Sequence, residues 1–346
     1  MTKKPRIAIL SPGQPTSNHD VATGYVKAFR LLGYNTSSLP YHVILSQWRE
    51  YFRFFGIVNG IADYRPEQED ILRTAGFNIV LRAMELDPDI LMVIDGTGIH
   101  RTSWEWLRKL GIYTVVIATE CPYQDQFVAH MGQLVDKMFV NDLASAEKMG
   151  YEYLPVGYDS EAHHPMIVPN SMRPDVNFVG SGFQERKDIL TQIDWTGIDF
   201  RLYGYYDINT DHVLAPYYKD QFIANAEAAL LYAGSKISLN LNRTSSDYDG
   251  ENRVMEARSL SPRAYEIPAC GGFMISEYRE EIPQLYGDLV PTFSQPDQLE
   301  DLIHYWLPRE KARAEIGDQL VKLARPHSYI ERAKTVMARL QGCGWI

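Results

Sequence analysis

Residues 176–187 read VNFVGSGFQERK, and this stretch decides the class of fold. Four residues, three of which favour a buried strand, run directly into a glycine-rich turn, and a helical pattern follows from Arg186. A strand, a tight turn and a helix in this order are typical of a parallel sheet whose strands are joined by helical crossovers. The stretch therefore predicts an α/β domain.

The same alternation of short apolar runs and amphipathic stretches repeats along the chain. In the first half it predicts strands at 7–10, 90–94, 113–118 and 138–140, and helices at 21–32 and 70–86. In the second half it predicts strands at 176–179, 200–203, 236–241 and 273–275, and helices at 224–232, 262–269, 296–306, 309–324 and 329–340. The pattern indicates two doubly wound, Rossmann-like domains that bind ligands beyond the carboxyl ends of their strands.

The length of the chain fits two domains with a core each, since it has 346 residues of which 45% are hydrophobic. Residues 160–174 are rich in turn-forming residues and lack periodicity, so they mark a boundary. We expect an N-terminal domain at 1–168, a C-terminal domain at 169–326, a cleft between the two, and a final helical segment at 327–346.

Composition excludes several classes of protein. No run of 18 apolar residues is present, and the apolar stretch at 7–10 is too short for the core of a signal peptide. Cys121, Cys270 and Cys343 lie far apart, which favours a reducing cytoplasm. The net charge of −10 argues against a basic nucleic-acid-binding domain. Residues 309–339 are a local exception, with eight Lys or Arg against four Asp or Glu.

The turn of the opening stretch is a candidate phosphate site. Gly180 and Gly182, beside Ser181, would let backbone N–H groups approach an anion at a helix N-terminus, and Arg186 and Lys187 would add positive charge. The turn lacks the third glycine of the dinucleotide fingerprint and the GK[ST] of a P-loop. A tight strand–helix turn with a solvated basic pair is the alternative interpretation.

Residues 261–273, SPRAYEIPACGGF, are the most informative for function. A predicted helix carries Glu266, whose carboxylate can accept hydrogen bonds from both hydroxyls of a ribose. Arg263 lies one turn earlier, where it could reach a phosphate. The alternative is a capped helix with a surface ion pair.

This block resembles the donor-binding segment of glycosyltransferases of the GT-B fold, in which a Glu precedes an Ala-Cys-Gly turn. More narrowly, the chain resembles the CgeB-like, or spore-maturation, branch of those enzymes. The matching pieces occur in order, together with Arg186: ECPY at 120–123, DKMFVND at 136–142, YLPVG at 153–157, NFVGSG at 177–182, SKISLNLN at 235–242, RAYEIPACGG at 263–272 and HSYIER at 327–332.

The resemblance implies a nucleotide-sugar donor, with a UDP-sugar favoured, and neither a permanent cofactor nor a catalytic metal. It also implies that the final helix crosses back onto the N-terminal domain. By residue, it assigns Glu266 to the ribose, and the other roles are as follows: Arg186, Lys187 and Arg263 to the diphosphate, Gly180, Ser181 and Gly182 to its approach, Tyr203 and Gly204 to the base, Asn240 and Asn242 to the sugar, and Gly271 and Gly272 to the turn after the ribose carboxylate. Many retaining GT-B enzymes carry a second Glu eight residues before the ribose Glu, but this chain has Arg258 there.

Candidate catalytic residues follow the predicted strands of the N-terminal half. His19 and Asp20 precede a helix, Asp95 and His100 flank the turn GTGI, and Glu120 follows another strand. An imidazole or a carboxylate could take the proton of an acceptor hydroxyl. The alternatives are an N-cap for Asp20 and ordinary polar loops for the others.

These patterns predict a glycosyltransferase that moves a sugar from a nucleotide-diphosphate donor to a hydroxyl of a glycan, protein or small molecule. One alternative is a DNA glycosyltransferase acting on modified bases, with the basic segment at 309–339 contacting nucleic acid. That segment could also contact an anionic membrane surface, or it could dock on the acidic N-terminal domain. A further alternative is a nucleotide-binding protein without activity.

Overall fold

The computed structural model describes residues 4–13, 17–61, 67–246, 253–255 and 257–342. Residues 11–20, ahead of the predicted helix at 21–32, and the C-terminal segment at 327–346 are therefore described only in part, and Cys343 lies outside the described residues. The chain divides into two compact units. The N-terminal unit comprises Met1–Pro155 with Arg332–Ile346, and the C-terminal unit is Val156–Glu331.

The N-terminal unit contains a parallel sheet of six strands in the order β2-β1-β3-β4-β5-β6. The strands are β1 (Ile7–Leu10), β2 (Thr36–Leu39), β3 (Ile90–Ile94), β4 (Tyr113–Ala118), β5 (Lys137–Val140) and β6 (Glu152–Tyr153). The helices between them are α1 (Ser17–Leu31), α2 (Tyr41–Val58), α3 (Gln68–Leu86), α4 (Arg101–Lys109), α5 (Asp125–Gly132) and α6 (Leu143–Met149). Every residue of β1 and β3 is buried, as expected for parallel strands covered by helices on both faces.

The C-terminal unit repeats this architecture with the strand order β14-β13-β10-β7-β8-β9, again parallel. Its strands are β7 (Val176–Val179), β8 (Phe200–Tyr203), β9 (Tyr218–Asp220), β10 (Ile237–Asn240), β13 (Met274–Glu277) and β14 (Thr292–Phe293), while β11 (Ser245–Ser246) and β12 (Arg253–Val254) form a separate antiparallel pair. The helices are α7 (Gln184–Leu190), α8 (Asn225–Gly234), α9 (Arg263–Ala269), α10 (Glu281–Tyr286), α11 (Pro296–Trp306) and α12 (Glu310–Ala324). The predicted α/β class with two parallel, doubly wound sheets is confirmed.

The C-terminal unit begins at Val156, twelve residues before residue 168, which was the expected end of the N-terminal domain. Val156 and Tyr158 are buried in one apolar cluster with Tyr232 and Tyr265 of the C-terminal unit. Because this packing removes apolar side chains from water, the segment belongs to the C-terminal unit despite its lack of regular structure.

The last helix, α13 (Tyr329–Gly342), buries the side chains of Ala333, Val336, Met337 and Leu340. Arg339 donates a 2.8 Å hydrogen bond to the carbonyl oxygen of Tyr153 and lies 3.1 Å from the Glu152 carboxylate. From Arg332 onward this helix is therefore part of the N-terminal unit. No helix in the described part of the chain is long and apolar enough to span a membrane.

Candidate functional site

The carboxyl edge of the C-terminal sheet, meaning the residues that follow β7, β8, β10 and β13, carries most of the predicted donor-site residues. These four strands are neighbours in a parallel sheet, so the loops after them emerge on one side. Gly180, Gly204, Asn242 and Arg279 come directly or nearly directly after the strands. The predicted convergence of the loops after β7, β8 and β10 on one edge is therefore seen in the structure.

The glycines of this edge serve loop–loop packing. Gly180 donates a 2.9 Å hydrogen bond to the carbonyl of Tyr203, and Gly182 donates a 2.8 Å bond to the carbonyl of Tyr205. A Cβ on Gly204, whose φ is +128°, would lie 2.1 Å from the carbonyl oxygen of Gly180. The neighbouring loop therefore uses the N–H groups of Gly180 and Gly182, and the role of these two glycines in letting the backbone approach a diphosphate stays a prediction.

Arg186 is buried at this edge, 5% exposed, rather than solvated. Its Nε donates to the carbonyl of Asn242 at 3.2 Å and its Nη1 to the carbonyl of Ser181 at 3.0 Å. The guanidinium lies over the rings of Phe178 and Phe183, 5.6 and 5.0 Å from their centroids. Arg186 thus joins the loops after β7 and β10 through hydrogen bonds, and its positive charge lies between them.

Arg263 has the same relation to the strand ends. It donates to the carbonyl of Val179 at 3.0 Å and to that of Leu241 at 2.8 Å, while its Nε is buried without a hydrogen-bond partner. Its guanidinium lies 5.0 Å from the centroid of Phe178, the ring that Arg186 also covers. Burial lowers the pKa of Arg263 from its ordinary value. Two guanidinium groups from distant parts of the sequence are therefore held together.

Asn240, the last residue of β10, and Asn242, two residues later, have different surroundings. Asn240 is fully buried, where it donates to Ser276 Oγ at 2.9 Å and accepts from Ser261 Oγ at 2.9 Å. Asn242 donates its backbone N–H to Glu277 Oε2 at 2.7 Å, and its own Oδ1 is buried without a partner. Asn240 is therefore occupied within the sheet, whereas Asn242 retains an unused acceptor.

Burial raises the pKa of Glu277 above its ordinary value, although the Asn242 amide and the charges of Arg279 and Arg186 lower it. The Tyr206 hydroxyl is a further buried atom without a partner, and burial raises its pKa although the charges of Arg186 and Arg263 lower it. Tyr206 Oη, Asn242 Oδ1 and Arg263 Nε are thus three unsatisfied polar atoms on loops or a helix of one edge. Such atoms are costly unless a ligand or water completes them.

Two further arginines at this edge were missed by sequence reasoning. Arg279 donates to the carbonyl of Arg243 at 2.9 Å and to that of Ser259, and Arg243 lies 4.3 Å from the ring centroid of Phe183. Glu185 holds the following loop through the amides of Thr244 and Ser245, at 2.7 and 3.0 Å. Arg279 comes two residues after β13 and Arg243 three residues after β10, and that position was the available signal.

The remaining donor candidates divide into two groups. Lys187 on α7 and Glu266 on α9 are half-buried, and Tyr203 ends β8. Gly271 and Gly272 instead precede β13 and lie at the opposite, amino end of the sheet. There a Cβ on Gly272 would lie 2.3 Å from the carbonyl of Tyr232, so close packing explains this glycine. The structure does not bring Gly271 and Gly272 to the other candidates.

In the N-terminal unit, Asp95 and Glu120 follow the neighbouring strands β3 and β4. Asp95 has φ +71°, is 8% exposed and accepts a 2.7 Å hydrogen bond from Thr97 Oγ1. Burial raises its pKa to about 7, with the Thr97 bond opposing and the charge of Glu120 adding to the rise. Glu120 accepts a 2.8 Å bond from Asn18 Nδ2. A strained, buried carboxylate that titrates near neutrality is suited to proton transfer.

The histidine candidates separate in the structure. The rings of His19 and His42 lie 4.8 Å apart, and the Nδ1 of each is buried without a partner. Burial lowers the pKa of His42, and the charge of His19 lowers it further. Asp20 is exposed in the first turn of α1, which begins at Ser17, so it is not the N-cap.

His100 has a structural role. It is the N-cap of α4, its Nδ1 lies 2.7 Å from Thr102 Oγ1, and its Nε2 lies 2.5 Å from Glu69 Oε1. Because both ring nitrogens are engaged, the structure gives no support to His100 as a catalytic base. Among the described residues, no group of three His, Cys, Asp or Glu could hold a metal ion.

Residues 185–338 match a family model described as glycosyl transferase-like. The matched region contains Arg186, Asn242, Arg263 and Glu266. No curated protein matches the sequence.

Solved structures of similar fold cover nearly the whole chain. A glycosyltransferase from Rickettsia africae has a TM-score of 0.60 at 10% identity, covering 98% of each chain. An α,α-trehalose-phosphate synthase (UDP-forming) from Burkholderia vietnamiensis has a TM-score of 0.58 at 13% identity, covering 97% of this chain and 100% of that one. A UDP-N-acetylglucosamine 2-epimerase structure from Listeria monocytogenes has a TM-score of 0.60 at 10% identity, covering 98% and 96%. These likenesses show a GT-B fold, on which more than one chemistry occurs.

Proposed function

We propose that this GT-B protein, whose residues 185–338 match a glycosyl transferase-like family, transfers a sugar from a nucleotide-diphosphate donor to an acceptor hydroxyl. The observation that carries the proposal is the gathering of Arg186, Arg243, Arg263 and Arg279 at the carboxyl edge of the C-terminal sheet. A UDP-sugar is the favoured donor, since a structural neighbour is described as UDP-forming. The resemblance to the CgeB-like branch and a cytoplasmic setting belong to this proposal.

The donor site is built from charges that are already in place. Arg186 and Arg263 both lie over the ring of Phe178 and stabilise the diphosphate through their field, while Lys187 reaches it from α7. Glu266 accepts the ribose hydroxyls, Tyr203 and Gly204 lie beside the base, and Asn242 Oδ1 takes a sugar hydroxyl. Charges fixed before the reaction stabilise a leaving group without reorganisation, so they supply the largest part of catalysis.

In the transfer, the acceptor oxygen bonds to the anomeric carbon and the bond from that carbon to the diphosphate breaks. The nucleoside diphosphate leaves with the electron pair, and the hydroxyl proton passes to a carboxylate. Asp95 is the preferred base because burial raises its pKa to about 7, and Glu120 and His19 remain second candidates. Arginines neutralise the leaving diphosphate in this proposal, so we expect activity to persist in a chelator.

The basic segment supports the alternative of a DNA acceptor less than its charge count suggests, because half of its basic side chains have partners. Of the eight basic residues at 309–339, Arg313 donates to the carbonyl of Leu307 at 2.6 Å, and Arg309 lies over the Tyr305 ring at 3.5 Å. Arg339 is paired with Glu152, and Lys311 lies 3.9 Å from Glu315. These four of the eight basic side chains therefore have partners, each within the unit to which it belongs.

Ligand-linked stabilisation tests the proposal directly. UDP and UDP-sugars are expected to raise the melting temperature, since saturation at 100 times Kd adds about 2.7 kcal/mol. Glu266→Ala is expected to weaken UDP-sugar binding at least tenfold without unfolding the protein, while Glu315→Gln, an exposed carboxylate on α12, is expected to change nothing. Unchanged donor affinity in Glu266→Ala would contradict the assignment of the ribose site, and absence of any nucleotide effect would overturn the function. A non-catalytic nucleotide-binding protein would bind UDP-sugar but release no UDP with or without acceptors.

A further inference from the structure

The helix α2 has two apolar faces, and the N-terminal unit covers one of them. The face that packs into the core of this unit consists of Tyr41, Ile44, Leu45, Trp48 and Phe52. A second set of apolar residues, Tyr51, Phe54, Phe55 and Val58, recurs at positions i, i+3, i+4 and i+7 and so forms another face. A helix that is apolar on more than one side is typical of a helix that is covered on more than one side.

The second face of α2 is exposed to solvent. Together with two neighbours it forms a surface that we call the α2 patch, which consists of Tyr51, Phe54, Phe55, Ile57, Val58 and Ile61. The exposed fractions of these residues lie between 43% and 66%. At about 200 Å² for a fully exposed side chain of this size, the patch presents roughly 700 Å² to solvent. The largest apolar patch of a typical monomer measures about 300–600 Å², so the α2 patch has the size of an interaction site.

The α2 patch carries little charge. Between Tyr51 and Ile61 the sequence contains a single charged residue, Arg53. The guanidinium of Arg53 lies 2.7 Å from the carboxylate of Glu50, one turn earlier on the same helix. Aromatic side chains in large number and charged side chains in small number are typical of the core of an interface between proteins.

The charge around the patch argues against a lipid surface as its partner. Residues 41–70, which include the patch and the sequence on both sides of it, hold three Arg against five Asp or Glu. The whole chain has a net charge of −10. An anionic bilayer attracts basic segments and repels acidic ones, so it would repel this part of the chain. A protein surface is therefore the better partner for the patch.

We propose that the α2 patch is the contact between two copies of this chain, with α2 of one copy packed against α2 of the other across a two-fold axis. In a two-fold contact a surface meets itself, so an apolar patch is complementary to its own copy. Each partner in a stable interface of standard size contributes about 800 Å², which the patch reaches with the exposed side chains of Gln47 and Glu50 as a polar rim. This inference does not depend on the proposed glycosyl transfer, because no residue of the patch is a donor-site or catalytic candidate.

The first test is the mass of the full chain in solution, measured by analytical ultracentrifugation at concentrations from about 0.1 to 100 µM. At the upper concentrations we expect a particle of twice the chain mass of 39.6 kDa. Because dimerisation depends on the concentration of the protomer, the mass should decrease on dilution or stay that of the dimer throughout. The mass of a single chain at every concentration would overturn the proposal.

Charged substitutions locate the contact on α2. Phe54→Glu and Val58→Glu each place a carboxylate in the apolar patch, and a two-fold contact would bury that carboxylate twice. We expect each variant to raise the dissociation constant of the dimer at least 100-fold. Both variants should remain folded, because these side chains are mostly exposed within the single chain. The matched control is Phe222→Glu, the same change at a 73% exposed phenylalanine of the C-terminal unit, which should leave the dissociation constant unchanged. Full dimerisation of both α2 variants would show that the copies associate through another surface and would contradict the proposal.

Two further measurements distinguish a second copy from a lipid surface. Hydrogen exchange of the backbone amides at 51–58 should be at least tenfold slower in the dimer than in the Phe54→Glu monomer, because the contact opposes local opening of the helix. Equal exchange rates would overturn the proposal. In flotation with vesicles of phosphatidylcholine, and of phosphatidylcholine with phosphatidylserine, we expect the chain to stay in solution. A chain that is monomeric in solution and floats with either vesicle, unless Phe54 is replaced by Glu, would assign the patch to a lipid surface instead.

Discussion

The backbone N–H of Asn242 donates a 2.7 Å hydrogen bond to the carboxylate of Glu277, which joins the loop after β10 to the last residue of β13. Burial raises the pKa of this carboxylate, while the charges of Arg279 and Arg186 lower it. A loop that carries the unsatisfied Oδ1 of Asn242 is thus held by a residue of the neighbouring strand.

Glu277→Ala is expected to lower the free energy of unfolding by about 1–3 kcal/mol, because it leaves a buried N–H without an acceptor. Donor affinity should fall about tenfold with it. Glu277→Gln keeps an oxygen, so its losses of stability and of donor affinity should both be smaller. Glu280→Ala, at an exposed neighbouring residue, should leave stability and donor affinity unchanged. Urea denaturation and UDP-sugar titration give the two quantities, and full donor affinity in Glu277→Ala would show that the loop does not depend on this bond.

Asp95 makes a prediction about pH. Its folded pKa of about 7 lies above its ordinary value of 3.8, so the folded state binds the proton more tightly than the unfolded state. The stability that this group contributes is complete below about pH 4 and declines as pH rises toward 7, by up to about 1.4 kcal/mol per pH unit. If Asp95 is the base, turnover should rise through the same pKa.

The matched variant is Asp95→Asn, which cannot ionise. It should remove this part of the pH dependence of stability and reduce turnover by at least 100-fold while donor binding persists. Retention of the same ascending limb in the pH–rate profile of Asp95→Asn would transfer the role to Glu120 or His19.

Arg263→Lys tests whether the two hydrogen bonds of the Arg263 guanidinium support the donor site. A lysine lacks the planar fork whose two nitrogens reach the carbonyls of Val179 and Leu241, so we expect a loss of about 1–3 kcal/mol in stability and at least tenfold in UDP affinity. The control is Arg258→Lys, whose side chain lies at the surface 3.8 Å from Glu280. Calorimetric titration with UDP that gives equal affinities for both variants would remove Arg263 from the donor site.

His100→Ala separates a structural from a catalytic histidine. Loss of the N-cap of α4 should cost about 1 kcal/mol. Turnover of the folded fraction should stay within twofold of the parent, because both ring nitrogens are already bonded. A fall in turnover of tenfold or more with intact donor binding would restore His100 as a catalytic candidate.

Sequence reasoning recovered elements whose apolar residues are continuous or strictly periodic. The runs at 90–94, 113–118 and 176–179 are strands as predicted, because fully buried parallel strands need apolar side chains on both faces. β2 was missed because its sequence, TSSL, contains only one apolar residue. Its place at the edge of the sheet is seen only in the tertiary structure. The helix α2 was not predicted either.

The position of the candidate site in the sheet could be predicted from the sequence more readily than the role of each residue in it. Loops after parallel strands had to share an edge, so Gly180, Gly204 and Asn242 were placed correctly relative to the sheet. Whether a glycine faces a ligand or another loop depends on a neighbour that is distant in sequence, as the contact between Gly180 and Tyr203 shows.

By itself the sequence determined most of the alternation of strands and helices, since this is a property of consecutive residues. Only the tertiary structure decided that Arg186 and Arg263 converge on Phe178 and the strand-end carbonyls, and that Gly272 lies at the far end of the sheet. The physical reason is that local periodicity sets how each segment folds. The crossovers set which strands become neighbours, and the direction of each strand sets which residues meet at an edge.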